Sequence, residues 1–117
     1  MKRVFYIEKE EFLRKSLELC FEGDCFCVSS TEDCFHFVVD LSPKVIIVDE
    51  DSVDFNKDSF FDLLKKSPQT ASIPFVVTGK EDVFDSSSSE LNIKKYFKKP
   101  FAPLEFEQSL REIIEVG

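Results

Sequence analysis

Four short groups of reactive side chains each follow an apolar run. Glu8-Lys9-Glu10 comes after Val4-Phe5-Tyr6-Ile7, and Asp49-Glu50-Asp51 comes after Val45-Ile46-Ile47-Val48. Thr78 follows Phe75-Val76-Val77, and Lys99 follows Tyr96-Phe97-Lys98. Carboxylates, a hydroxyl and a lysine gathered at one edge of a sheet suit phosphoryl transfer to an aspartate. In that chemistry the carboxylate is the nucleophile, a metal neutralises charge, and Lys and Thr hold the phosphoryl oxygens.

The apolar runs read as strands and the stretches between them as helices. Val45-Ile46-Ile47-Val48 is aliphatic without alternation, which marks a strand covered on both faces in a parallel sheet. A first helix is expected from about Glu10 to Phe21, with Phe12, Leu13, Leu17 and Cys20 on its buried face. Cys25-Phe26-Cys27-Val28 is the second short strand. Ser30, with Asp33 three residues on, fits the start of a second helix running to Leu41. A third helix is expected from about Asn56 to Lys66 with Phe60, Phe61 and Leu64 inward. The fourth strand, Phe75-Val76-Val77, ends at Thr78, and a fifth lies near Tyr96-Phe97. The last helix opens with Pro103, a residue suited to the first helical position, and carries a stripe of Leu104, Leu110, Ile113 and Ile114. Between strands four and five, Glu81 to Leu91 contains Ser86-Ser87-Ser88-Ser89. Serine is a poor helix former, so a short, frayed helix or a loop is expected there. Five β-then-α units make an open, doubly wound α/β sheet, whose functional groups sit beyond the carboxyl ends of its strands.

Composition bounds the partners. The chain has 117 residues, which is one domain by length, and no internal repeat or Pro/Gly-rich linker divides residues 1–117. Fifteen Lys and Arg against 23 Asp and Glu give a net charge of −8, which argues against nucleic-acid and anionic-membrane partners. With only 3 Gly there is no glycine-rich phosphate cradle. No apolar run approaches the roughly 18 residues that span a bilayer. The opening Met1-Lys2-Arg3 meets Glu8 too soon for a signal peptide. A cytoplasmic location is the default, and Cys20, Cys25, Cys27 and Cys34 are then reduced thiols. Cys25 and Cys27 share one strand face and His36 is the only histidine, but the C-x-C spacing is not that of zinc pairs. Core packing is the preferred reading of the thiols over a metal or redox sensor.

On these residues the whole chain resembles the receiver domain of bacterial response regulators. Val4–Glu10 resembles the family's first strand and its acidic pair, and Pro43–Asp49 the strand leading to the phosphoacceptor. Ile73–Gly79 is similar to the strand bearing the phosphate-following hydroxyl. Tyr96-Phe97-Lys98-Lys99-Pro100-Phe101 is similar to the switch aromatic and the Lys-Pro-Phe signature. The resemblance implies a flavodoxin-like (βα)5 fold with strand order 2-1-3-4-5. It places the phosphoacceptor at Asp49, the phosphate contacts at Thr78 and Lys99, the switch at Tyr96 and a cis peptide before Pro100. It implies partners in signalling, a histidine kinase or an effector domain C-terminal to the receiver. Their docking face would comprise the fourth helix, fifth strand and fifth helix, and a homodimer is a further possibility.

The departures from the family pattern bear on function. Lys9 stands where the family has the aspartate that directly ligates Mg²⁺, and Glu8 replaces the usual first aspartate. The loop Glu50-Asp51-Ser52-Val53-Asp54 lacks the family's proline and glycines, and the fourth strand is one residue short before Thr78. Two unit charges at ~4 Å interact by ~4 kcal/mol at an effective dielectric near 20, so an ammonium beside a dication is costly. Lys9 could instead pair with Asp49 or Asp51 as a built-in counter-ion. The preferred reading is an atypical receiver: a non-enzymatic protein-interaction module without a cofactor, its Mg-dependent phosphorylation impaired or absent. The alternative is a phosphorylation-competent receiver of a phosphorelay. It would accept phosphate on Asp49 with a weak Mg²⁺ site made by Glu8, Asp49 and Asp51, or rescued by Glu10.

Overall fold

A computed structural model of the chain describes residues 2–55, 57–81 and 91–116. Five parallel strands, β1 (Val4–Ile7), β2 (Cys25–Val28), β3 (Val45–Asp49), β4 (Phe75–Gly79) and β5 (Ile93–Lys98), form one sheet in the order β2-β1-β3-β4-β5. The described helices are α1 (Glu11–Phe21), α2 (Phe35–Leu41), α3 (Ser59–Lys66) and α4 (Pro103–Val116), with a 3-10 turn at Glu50–Ser52. The expected frayed helix between Glu81 and Leu91 falls at 82–90, outside the described residues. No helix among the described residues is long and apolar enough to cross a membrane.

The central strands are apolar throughout because both of their faces are covered. Val4, Tyr6, Val45, Ile47 and Val76 point to one side, where Leu17 and Phe21 of α1 and Phe106, Leu110 and Ile114 of α4 pack. Phe5, Ile7, Ile46, Val48 and Phe75 point to the other, against Val38 of α2 and Phe60, Phe61 and Leu64 of α3. Alternate residues of each strand therefore feed two separate cores. Gly23, at φ +87°, follows Glu22 at φ 40°, and together they turn the chain from α1 into β2.

Several expected boundaries and faces differ from the structure. Phe12 and Leu104 are not core residues: each is 78% exposed. Each sits on the outer face of its helix: at about 100° per residue Phe12 is about 140° round from Leu17, and Leu104 about 120° round from Leu110, so in α4 Phe106 takes the buried place. The second helix starts at Phe35, not at Ser30, because Asp33 adopts a left-handed φ of 57° that no helical turn can include. The third starts at Ser59, because Asp58 caps it by accepting the Phe60 N–H at 3.0 Å. Strand β4 runs one residue beyond Thr78, to Gly79.

Replacing Leu110, which is fully buried against β1 and β3, by alanine is expected to cost roughly 2–5 kcal/mol of folding stability in urea unfolding. Leu104→Ala is expected to stay within about 0.5 kcal/mol of wild type. A reversed order would mean that the face of α4 is misassigned.

Candidate functional site

Register alone brings the reactive residues together. Ile7 pairs with Val48 and Asp49 with Thr78, so Glu8, one residue beyond Ile7, is level with Asp49 and Thr78 in a row across β1, β3 and β4. Gly79 pairs with Lys98, which places Lys99 beside that row. Glu8 is 0% exposed, Asp49 1% and Thr78 0%, an unusual burial for two carboxylates.

Lys99 is the cation that makes this burial tenable. Its Nζ lies 2.5 Å from Glu8 Oε1 and 2.9 Å from Asp49 Oδ1. Lys99 follows β5 directly and precedes Pro100 through a cis peptide bond. Thr78 Oγ1 lies 3.4 Å from Asp49 Oδ1. Despite the short run before it, Thr78 therefore faces the aspartate. Tyr6 sits below, its hydroxyl 3.5 Å from Glu8 Oε1. Burial, and then the charges of Glu8 and Asp49, push the Tyr6 pKa up and keep it a neutral donor.

Burial on its own would raise the Asp49 pKa. The hydrogen bonds from Lys99 and Ser52 and the Lys99 charge outweigh it, and Asp49 is held below the usual aspartate range. For Lys99, burial acts downward, but the hydrogen bonds and charges of Glu8 and Asp49 prevail and raise it.

Ser52 completes the site, and the sequence reading did not single it out. Its hydroxyl donates to Asp49 Oδ2 at 2.7 Å, lies 3.2 Å from Glu8 Oε2, and accepts the Lys9 backbone N–H at 3.0 Å. The 3-10 turn Glu50–Ser52 carries this hydroxyl back over Asp49. The available signal was a serine three residues after the aspartate in a loop without proline or glycine.

Lys9 is exposed and does not pair with the carboxylate of Asp49 or Asp51. Its ammonium donates to the backbone carbonyl of Asp51 at 3.4 Å. Side chains alternate along a strand, so Glu8 turns into the site and Lys9 out to its rim. Glu10 and Asp51 are also exposed, outside the buried pair. Tyr96 is some way off, its hydroxyl 3.2 Å from Glu50 Oε1 and 3.1 Å from both the Glu81 N–H and carbonyl. Burial and the Glu50 charge push its pKa up to about 12. Gly79 permits that contact, since a methyl there would overlap Glu50 Oε1 and the Tyr96 hydroxyl.

Receiver folds imply Mg²⁺, but these residues as arranged do not fit the ion. Glu8 and Asp49 are shut from solvent and their oxygens already face Lys99, Ser52, Thr78 and Tyr6. Mg²⁺ keeps several of its waters, for which a closed pair has no room. The rim carbonyl of Asp51 carries an ammonium. Among the described residues no three His, Cys, Asp or Glu side chains are grouped to share a metal.

Comparison with solved structures follows the same architecture. A response regulator from Desulfuromonas acetoxidans is similar with a TM-score of 0.80 and 20% identity, over 99% of this chain and 98% of that chain. A receiver domain of a two-component histidine kinase from Clostridium thermocellum reaches 0.73 at 22% identity, over 96% of both chains. The chain has the receiver fold. A third receiver domain, from a sensor histidine kinase of Pseudomonas aeruginosa PAO1, has a magnesium ion coordinated in its active-site cleft. It is similar with a TM-score of 0.76 and 12% identity, over 97% of this chain and 98% of that one. No protein-family model and no curated protein sequence matches the chain.

Lys99→Met is expected to cost roughly 3–5 kcal/mol at neutral pH, because it leaves two buried carboxylates without their cation. The depressed Asp49 contributes stability that is present above its ordinary pKa of 3.8 and is lost as pH falls through the lower folded value. The raised Lys99 contributes stability present below its ordinary 10.5 and lost only as pH rises through the higher folded value. Neutral pH therefore holds both contributions in the wild type; in Lys99→Met the buried carboxylates left without a cation favour their neutral form, so the deficit is expected to shrink as falling pH protonates them. Urea unfolding across pH checks this; a deficit below about 1 kcal/mol at every pH would contradict it.

Proposed function

We propose that the chain is an atypical receiver domain of two-component signal transduction. It acts as a protein-interaction module in which Mg-dependent phosphorylation of Asp49 is impaired or absent. The observation that carries this reading is Lys9, an ammonium at the rim of the aspartate site with its Nζ on the Asp51 carbonyl. Lys99 already neutralises one of the two buried charges, which leaves one net negative charge for a dication to bind. A divalent ion would have to open the pair, displace Ser52 from Asp49 and sit beside Lys9. That last contact is repulsive, and solvent around the exposed Lys9 screens part of it. The domain performs no turnover chemistry and needs no cofactor.

Its partners in this reading are signalling proteins: a histidine kinase, an effector domain that follows it in a longer chain, or a second copy. The docking face comprises β5 and α4, next to the Tyr96–Glu50 contact. With a net charge of −8, nucleic acid and anionic membranes are not partners.

The alternative reading, a phosphorylation-competent receiver, draws support from the joint placement of Asp49, Thr78 and Lys99. Incubation with a small acyl phosphate and Mg²⁺, followed by intact-mass measurement, separates the two. No phosphoryl adduct is expected on the wild type. A stoichiometric adduct that Asp49→Ala abolishes would establish the alternative.

A second expected outcome follows from the rim charge. Lys9→Asp exchanges an ammonium for a carboxylate and is expected to raise Mg²⁺ affinity by about tenfold or more, read by titration calorimetry. Equal affinities in Lys9→Asp and wild type would remove Lys9 from the account.

A further inference from the structure

Away from the carboxylates, two thiols stand in contact. Cys25 and Cys27 lie on β2, which pairs with β1 on one side and forms an edge of the sheet on the other. Their Sγ atoms are 3.4 Å apart on one face of the strand. Phe26 between them turns to the opposite face and stacks on Phe5 and Phe37. Two residues of strand rise amount to about 6.4–6.8 Å, the upper part of the ~4.4–6.8 Å that the Cα atoms of a disulfide span. An edge strand can pucker by the remainder with only one ladder of hydrogen bonds to adjust.

The two thiols differ in access. Cys25 is buried, 5% exposed. Cys27 is half-buried and lines an open cleft of about 360 Å³ together with Arg14, Ser29, Ser30, Glu32 and the buried Cys34. Its thiol donates toward the Arg14 carbonyl at 3.7 Å. Cys25 does not line this cleft, so of the two paired thiols Cys27 is the one a small molecule in the cleft meets; Cys34, also in its lining, is 2% exposed. Neither Cys20 nor Cys34 shares a hydrogen bond with the pair; the Cys34 thiol donates to the Ser30 and Glu32 carbonyls instead.

We propose that Cys25 and Cys27 are a reversible dithiol–disulfide site whose oxidant is a low-molecular-weight disulfide. The Cys27 sulfur, giving up its proton, attacks one sulfur of the small disulfide. A mixed disulfide forms and the first small thiol leaves with that proton. Cys25 then gives up its proton and attacks Cys27 Sγ, forming the Cys25–Cys27 bond and releasing the second small thiol. The protein loses two electrons and two protons, and the small disulfide gains them. The Cys27 thiol and burial push the Cys25 pKa upward. The Cys27 part of this shift is absent once Cys27 is in the mixed disulfide, while the part due to burial remains.

The test equilibrates reduced protein with glutathione and glutathione disulfide at graded ratios. Acid quench, alkylation under denaturing conditions, intact mass and peptide mapping then follow. Cys25 and Cys27 are expected to lose alkylation together, with the loss of two hydrogens, while Cys20 and Cys34 stay alkylated and a reductant restores all four thiols. In Cys25→Ser a glutathione adduct is expected to persist on Cys27, and in Cys27→Ser Cys25 is expected to stay unmodified. The proposal is overturned by four alkylated thiols at every ratio or by a persistent adduct on wild-type Cys27. A disulfide that involves Cys20, Cys34 or a second chain overturns it equally. The wild-type map decides alone should either serine variant fail to fold.

Discussion

Two carboxylates buried at the carboxyl edge of a sheet must be given a cation or lose their charge. Here a single lysine meets that demand, reaching Glu8 and Asp49 at once. It arrives from β5, two strands away from β3 and beyond Thr78, so the pair exists only when β1, β3, β4 and β5 are in register. The ion pair is therefore a product of the fold and also a check on it. An error of one residue in any of these strands would turn an ionised group into the apolar layers on either face.

Around that contact the neutral donors are arranged so that no oxygen is left alone. Ser52 sits on Asp49 from the 3-10 turn, Thr78 lies across from it, and Tyr6 rises from the core below. Among the described residues no buried side-chain nitrogen or oxygen lacks a hydrogen-bond partner. A site satisfied from within needs no ion to be stable. Lys9 adds a positive charge at the rim, on the Asp51 carbonyl. The same geometry brings Asp49, Thr78 and Lys99 together, with Lys99 and Ser52 on the oxygens of Asp49.

Much of this was legible in the sequence, for physical reasons. Val45–Val48 could only be a strand covered twice, and the acidic, hydroxyl and lysine residues after each apolar run had to meet at one edge once the sheet was parallel. What escaped was set by tertiary position. Phe12 and Leu104 are apolar but stand five and six residues from Leu17 and Leu110, off the i, i+3, i+4 stripe that meets the sheet, and their type alone suggested burial. The start of α2 depended on the backbone of Asp33, which periodicity does not encode. Ser52 has no local signal beyond its distance from Asp49. Lys9 was expected against a carboxylate, but alternation along the strand sends it outward, to a carbonyl.

The central claim is that ammonium groups have taken the place of a divalent ion beside Asp49. Crystals of the wild-type protein soaked with Mg²⁺ and beryllium fluoride test it most directly. The account expects Lys99 to remain on Glu8 and Asp49, Lys9 to remain on the Asp51 carbonyl, and no magnesium between them. Magnesium coordinated by Asp49, with the Lys9 side chain swung away into solvent and fluoroberyllate on the aspartate, would contradict it.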